Sequence, residues 1–580
     1  MLRTTALVLL MLPLGGCGTF EPDSDAWGMP EDQRGRAENA KFATLVDAYL
    51  AWHYAAHPGR ATFDGIHDYD DRLQDVSAAG IAAAASAQRR WLDRVREIDR
   101  TLLSGDAAVD HELLESSIQA ALVDLVDVRS WERNPGFYVE LISWGLYGLA
   151  SLQFAPPERR MALAVGRLSQ VGAVLDAARA NLKNPPALLT EMAIEDGAGA
   201  RAFISDALPV AFADAKDEAL RKRFTARCQE AVAALDKAVA WMKTELLPQS
   251  KGEIALGEER FRRKLAAEEM VGTPTETLLA EGEALLASTR KRMTEIALEI
   301  DPSKAPAEVL RETASEHPAA AELLDAVRAM LDGLKRASRE KLYEVPPDAD
   351  CKVQETPAFN RSTWFASMEI PGPFETVARD AYYSVTPPEA SWDATRTEQH
   401  LRFFNRYALK LISVHEAYPG HYTQFLTLRG LASKVRRVFG SNAFSEGWAH
   451  YLEEVYVDEV EPADAKLRLH QLNLALMRIC RYLVAIKMHC RGMSVDEATK
   501  YFQEQGWQER ANAEREARRG ASDPMYLVYT LGKIQILHVR EECREAWGSA
   551  FSLKAFHHRL LATGRPPVRL ARKLMLGPAR

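Results

Sequence analysis

The chain has 580 residues, 47% of them hydrophobic and 27% charged, which is enough for a large buried core and, by length, for more than one domain. Its 73 Lys and Arg against 81 Asp and Glu leave a net charge of −8. A mildly acidic chain without long basic runs argues against a nucleic-acid partner.

The chain begins MLRTTALVLLMLPLGGCGTF, with Arg3 ahead of an apolar run from Ala6 to Leu12. The run is too short to span a bilayer and fits a signal peptide. It closes on Leu-Gly-Gly-Cys, which resembles a bacterial lipobox, so residues 1–17 are expected to be a lipoprotein signal peptide ending at a lipidated Cys17. The alternative is an ordinary signal peptide in which Cys17 is incidental. Acyl chains on Cys17 would hold the protein to a membrane without a spanning helix. The expected location is therefore exported and lipid-anchored, on the periplasmic side or the surface of a bacterium. Residues 18–37 read as a polar tether, and no later stretch reads as a membrane span. Cys228, Cys351, Cys480, Cys490 and Cys543 are odd in number and lack a C-x-x-C pair, so they read as buried free thiols.

Helical periodicity dominates from residue 38 onward. Apolar residues recur at helical spacing over 38–58, where Pro58 stops the run, and over 78–103, 223–247, 273–298, 318–343, 463–490 and 523–547. Residues 346–395, rich in proline, aromatic and β-branched residues, predict a few short strands and loops. The expected fold is mainly α with a small β or irregular insert. Residues 38–270 are expected to form an N-terminal helical region, and 271–580 the region that carries the chemistry.

That chemistry centres on HEAYPGHYTQ, residues 415–424. In the zinc-peptidase signature H-E-x-x-H, two histidines four apart share a helix face and the glutamate serves as base. Here His415 and His421 are six apart. On an unbroken helix that spacing leaves the side chains about 120° apart with a rise of about 9 Å, too far for one metal. Pro419 removes a backbone donor and Gly420 allows conformations closed to other residues, so the pair can form a bulge that returns His421 to the side of His415. The alternative is a helix that ends at Tyr418, with two unrelated histidines. Downstream, FSEGWAHYLEE offers Glu446 as a third ligand, 25 residues past His421, with Ser445 as the helix cap. His450 shares its face and would support Glu446 or the water at the metal. Against this stands the reading of Glu446, Glu453 and Glu454 as solvated helix charges.

The two motifs together closely resemble the bacterial family known as domain of unknown function 885. The resemblance extends to PGRATFDGIHDYDDRLQDVS (58–77), PPEASWDATRTEQHLRFFNRY (387–407), DPMYLVYTLGKIQI (523–536) and FHHRLLATGRPP (556–567). That family looks like a distant relative of thermostable carboxypeptidases and other helical zinc peptidases. The resemblance implies a zincin-like fold with an internal channel, one zinc ion held by His415, His421 and Glu446, and Glu416 as the base.

Near the C-terminal end Tyr526, Tyr529, Lys533 and Arg540 are spaced to share a helix stripe. Tyr529, in preference to Tyr526, would donate to a developing oxyanion. Tyr526, Lys533 and Arg540 would bind substrate, a cation holding a terminal carboxylate. The opposing reading is a buried tyrosine pair with snorkelling cations. The expected function is zinc-dependent hydrolysis of peptide bonds, in short peptides. A hydrolase of other amides or esters, and a non-catalytic surface lipoprotein built on a peptidase scaffold, are the alternatives.

Overall fold

The computed structural model describes residues 31–361 and 364–577. Cys17, the signal peptide and the first part of the tether lie outside these residues. Residues 31–37, read as tether, form the opening turns of the helix Glu31–Ala56. Pro58 then opens a new helix, Pro58–Asp64, at the position where a missing N–H is harmless. The run 223–247 is the helix Glu218–Trp241 continued by a π turn, Met242–Leu246, into Leu247–Gln249. A second π turn, Phe203–Ala207, also runs into a proline, Pro209. In both places the proline cannot donate to the carbonyl four residues back, so the turn before it widens.

The insert contains β1 (Lys352–Glu355), β2 (Ala366–Glu369) and β3 (Tyr382–Val385). β3 is central, parallel to β1 and antiparallel to β2, with Tyr383 opposite both Val353 and Met368. All else with regular structure among the described residues is helical. The stretch Pro157–Asn181 departs from expectation: its 25 residues are long and apolar enough to cross a membrane by length and composition. It is broken at Ser169 and Gln170 into two helices, and Met161, Leu168, Val171 and Val174 pack into the protein core.

The core does not divide at residue 270. Phe42, Tyr49 and Leu113 cluster with Val435, Val438 and Leu570. Phe261 and Leu265 cluster with Ala443, Leu476 and Tyr529. Tyr383 on β3 is fully buried, and its hydroxyl lies 3.2 Å from Ser413 Oγ, two residues before His415. The small sheet therefore backs the helix that carries the histidine motif. Cys228, Cys351, Cys480, Cys490 and Cys543 are all free thiols.

Candidate metal centre

The helix Arg406–Glu416 starts at Asn405, whose side chain accepts from the backbone N–H groups of Tyr407 and Ala408 at 3.1 and 3.0 Å. Nearly every side chain along it is buried, so no face can rotate toward solvent and the direction of His415 is fixed. The helix ends at Glu416, and a second helix begins at His421. Gly420 joins them for a reason of space. Its φ is −71°, open to any residue, but a Cβ there would lie 1.8 Å from the His415 carbonyl oxygen. The chain thus doubles back on the helix end, and Trp448 Nε1 holds the turn by donating to the Pro419 carbonyl at 3.1 Å.

Trp448 belongs to the helix Asn442–Glu459, which also presents Glu446. Its cap is Ser441, whose hydroxyl accepts from Phe444 N, and not Ser445, which lies within the first turns. A second carboxylate, Glu269, accepts from the backbone N–H groups of Asn442 and Ala443 and completes the cap from the N-terminal half. Gly447 faces Gly532 of the helix Val528–Trp547, and a Cβ on Gly447 would lie 2.4 Å from the Gly532 carbonyl carbon. The two backbones touch, which sets the Tyr529 helix directly against the Glu446 helix.

These elements bring His415, His421 and Glu446 together, with one donor atom from each within 4.8 Å of the others. Glu446 Oε2 lies 3.3 Å from His415 Nε2 and 3.4 Å from His421 Nε2. Ligand atoms about 2.1 Å from a shared ion in a tetrahedral array stand about 3.4 Å apart. Glu446 Oε2 is shielded from solvent and has no hydrogen-bond partner among the described residues. A buried carboxylate oxygen is normally satisfied, so this one has room for a cation. Two imidazoles and a carboxylate are a donor set that suits zinc.

Behind His415 stands Glu453, completely buried, with Oε1 2.7 Å from His415 Nδ1. The carboxylate accepts the Nδ1 proton, so in the neutral imidazole, the form that binds a metal, the Nε2 lone pair faces Glu446 and His421. Arg478 donates to both oxygens of Glu453, at 2.7 and 3.1 Å. Burial opposes ionisation of Glu453, but Arg478 and His415 hold its pKa well below the usual range. Burial likewise opposes charging of His415, yet Glu446 and Glu453 raise its pKa to about 9. Glu453 lies seven residues past Glu446, two helical turns on the same face. That spacing was the available signal for it. Arg478 had none, being one of several cations along the helix Ala465–Arg491.

Glu416 is 7% exposed, and burial raises its pKa, opposed by His415 and His421 and reinforced by Glu446. His450 is buried, with Nδ1 3.6 Å from Glu453 Oε2 and without a hydrogen-bond partner among the described residues, so it stands beside the carboxylate behind His415. Burial lowers its pKa to about 3. The Tyr529 hydroxyl accepts from Arg519 Nη2 at 2.7 Å, which leaves its own proton free to donate. Burial raises the Tyr529 pKa; Arg519 opposes this, and the charge of Glu446 adds to it.

Tyr526 falls outside the stripe expected for Tyr526, Tyr529, Lys533 and Arg540, while the other three keep their helical spacing on Val528–Trp547. Asp523 and Pro524 hold 523–527 as a turn, and the helix starts only at Val528. Tyr526 is fully buried, packed against Gly520. Lys533 pairs with Glu454 at 2.5 Å across the helix contact and pulls its pKa down to about 2. Arg540 lies over the Tyr451 ring and pairs with Glu541.

A cavity of about 590 Å³ adjoins the centre. Phe425, stacked on the His421 ring at 5.7 Å and 9°, lines it. So does Glu369 of β2, which feels the charge of Glu416. Gly59, Arg60, Phe63, Asp64, Leu73 and Gln74, all from the 58–77 phrase, form another wall, and Arg565 from the C-terminal phrase closes it.

Comparison with solved structures gives two whole-length likenesses. A protein from Shewanella oneidensis, provisionally assigned as a lipoprotein of unknown function, is 26% identical, with a TM-score of 0.76 over 92% of this chain and 99% of that one. A provisionally assigned lipoprotein from Colwellia psychrerythraea shares the fold, with 17% identity and a TM-score of 0.78 over 94% of this chain and 98% of that one. No curated protein matches the chain. The model of the family described as bacterial protein of unknown function (DUF885) matches residues 58–575, from the cavity wall through the histidine motif to the last helix, and the chain belongs to that family.

Proposed function

We propose that the protein is a zinc-dependent hydrolase of peptide bonds, with a zincin-like helical scaffold and an enclosed channel that admits short peptides. The observation that carries this reading is the orphaned Glu446 Oε2 facing two imidazole Nε2 atoms, with Glu416 following His415 directly. A binding scaffold has no need of a carboxylate base at that position. His415, His421 and Glu446 would hold the ion, one per chain. A zinc ion so held polarises a carbonyl and acidifies water. Glu416 takes a proton from the attacking water on its carboxylate and passes it to the leaving amine. Burial raises its pKa, which makes the carboxylate a stronger base for the first step. Tyr529, whose hydroxyl proton is free, donates to the oxygen on which charge develops. Export and lipid anchoring through Cys17 fit the two solved relatives, both provisionally assigned as lipoproteins.

The test is Glu416→Gln. Metal content should stay as in the parent, while peptide turnover falls on the order of 100-fold to 10,000-fold. Glu446→Gln should lose the metal itself. Turnover by Glu416→Gln at the parental rate would remove the hydrolase mechanism and move the non-catalytic lipoprotein reading ahead.

A further inference from the structure

The cavity beside His421 has an uneven charge account. Of its acids, Asp64 is taken by Arg60 at 2.9 Å, Glu369 by the Tyr147 hydroxyl at 2.6 Å, and Asp380 by Lys352 at 2.6 Å, while Glu140 is exposed to solvent. Arg565 is different. Its Nε is shielded from solvent and has no hydrogen-bond partner among the described residues. Burial and the nearby charge of Arg60 push its pKa down to about 10, against the opposing pull of Asp64, which Arg60 already engages. Such a group is costly to keep unless something pairs with it.

The placement of Arg565 is built, not incidental. Its carbonyl accepts from Ser441 N at 2.8 Å, at the start of the helix that carries Glu446. Its stem runs past Gly440, where a Cβ would lie 2.6 Å from Arg565 Cγ. Its guanidinium sits 6.0 Å from the centre of the Phe425 ring, itself 5.7 Å from that of His421. The cation is thus within about 12 Å of the His421 ring, the reach of about three extended residues. Phe63, Leu141, Trp144, Ile370 and Phe425 give the wall its apolar part, and the other cation on it, Arg437, donates to the Leu431 carbonyl.

We infer that Arg565 is the residue that selects substrate by its carboxylate: it pairs with the free C-terminal carboxylate of a short peptide whose last one to three residues, apolar in character, occupy the cavity. A guanidinium fork fits a carboxylate with two parallel hydrogen bonds, and a partly dry cavity strengthens them. On the hydrolase reading, on which this rests, the enzyme removes short C-terminal fragments and rejects peptides whose end is blocked.

The test measures binding apart from turnover. Zinc-loaded Glu416→Gln protein is titrated with Ala-Ala-Phe and with its C-terminal amide, by calorimetry. The free acid should bind at least 10-fold tighter. Adding Arg565→Gln should remove that preference while metal content stays constant; Arg565→Lys, which keeps the charge but loses the fork, should fall between. Equal binding of acid and amide by the parent site, or an intact preference in both Arg565 variants, overturns the assignment. If Arg565→Gln does not fold, the acid-against-amide comparison and Arg565→Lys still decide it. Acid preference without any turnover by the parent keeps Arg565 and sinks the hydrolase reading. Turnover of acids and amides alike does the reverse.

Discussion

Glu453→Gln separates the ion from the fold. Glu453 is completely buried and accepts from His415 Nδ1 at 2.7 Å and from Arg478 at 2.7 and 3.1 Å. Glutamine keeps the shape but brings an NH₂ group toward donors and removes the charge that balances Arg478. Leaving a buried charge without its partner costs about 3–5 kcal/mol. Loss of the carboxylate behind a ligating histidine costs about 10-fold to 100-fold in metal affinity. Both effects should appear together, the first in urea midpoints of the chelator-treated protein, the second in zinc competition with a coloured chelator. The double variant Glu453→Gln/Arg478→Met removes the stranded cation as well, so it should recover part of the stability and none of the affinity. If Glu453→Gln binds zinc as tightly as the parent, the argument that Glu453 fixes the tautomer of His415 is wrong. If the double variant is no more stable than the single, the buried pair is not what was lost.

Three further outcomes follow from the same structure. Gly420→Ala should displace His421, because its Cβ would lie 1.8 Å from the His415 carbonyl oxygen; loss of zinc binding with a stability cost of about 1–3 kcal/mol is expected, and full zinc occupancy would refute the steric account. Burial lowers the pKa of His470 and His557 to about 3 and of His400 and His489 to about 4, so the unfolded chain binds more protons below the ordinary value of 6.5. Stability should therefore be complete above about pH 6.5 and fall by about 1.4 kcal/mol per pH unit for each histidine as pH drops toward 4; urea midpoints that stay flat from pH 7 to 5, with chelator present throughout, would contradict this. Cys17→Ser should abolish labelling by radioactive palmitate and release the chain from membranes, and label retained in the variant would rule out lipidation at that residue.

The convergence of His415, His421 and Glu446 was legible because Pro-Gly is a local instruction: it breaks a helix at a known place, and the two histidines flank it. The role of Gly420 was legible only in outline. The sequence says that a side chain is missing, not whether conformation or space demands it, and here space decides. The cap of the Glu446 helix was misplaced because Ser441 and Ser445 are equally good caps in isolation; Glu269, far upstream, completes the first. Tyr526 left the stripe because Asp-Pro holds a turn that periodicity alone ignores. Lys533 and Arg540 showed their positions on the helix but not their partners, Glu454 and Tyr451, which lie on another helix. The cavity had no local signature at all, since its walls come from segments near 60, 144, 370, 425 and 565.

That last feature bears on the order in which the molecule is made. Arg60 donates to the Val438 carbonyl across 378 positions, and the same cavity holds Arg60 and Arg565 side by side. Contacts so distant along the chain form only after the entropy of closing a very long loop has been met. Most of the cluster that begins at Leu73 lies between there and Leu246 and can condense from nearby segments, but the cavity lacks Arg565 until the final forty residues are delivered. An unfinished chain therefore owns a folded helical core and a chamber without its last cation. Deleting the C-terminal residues should strip the pocket of Arg565 before it costs the protein its helices.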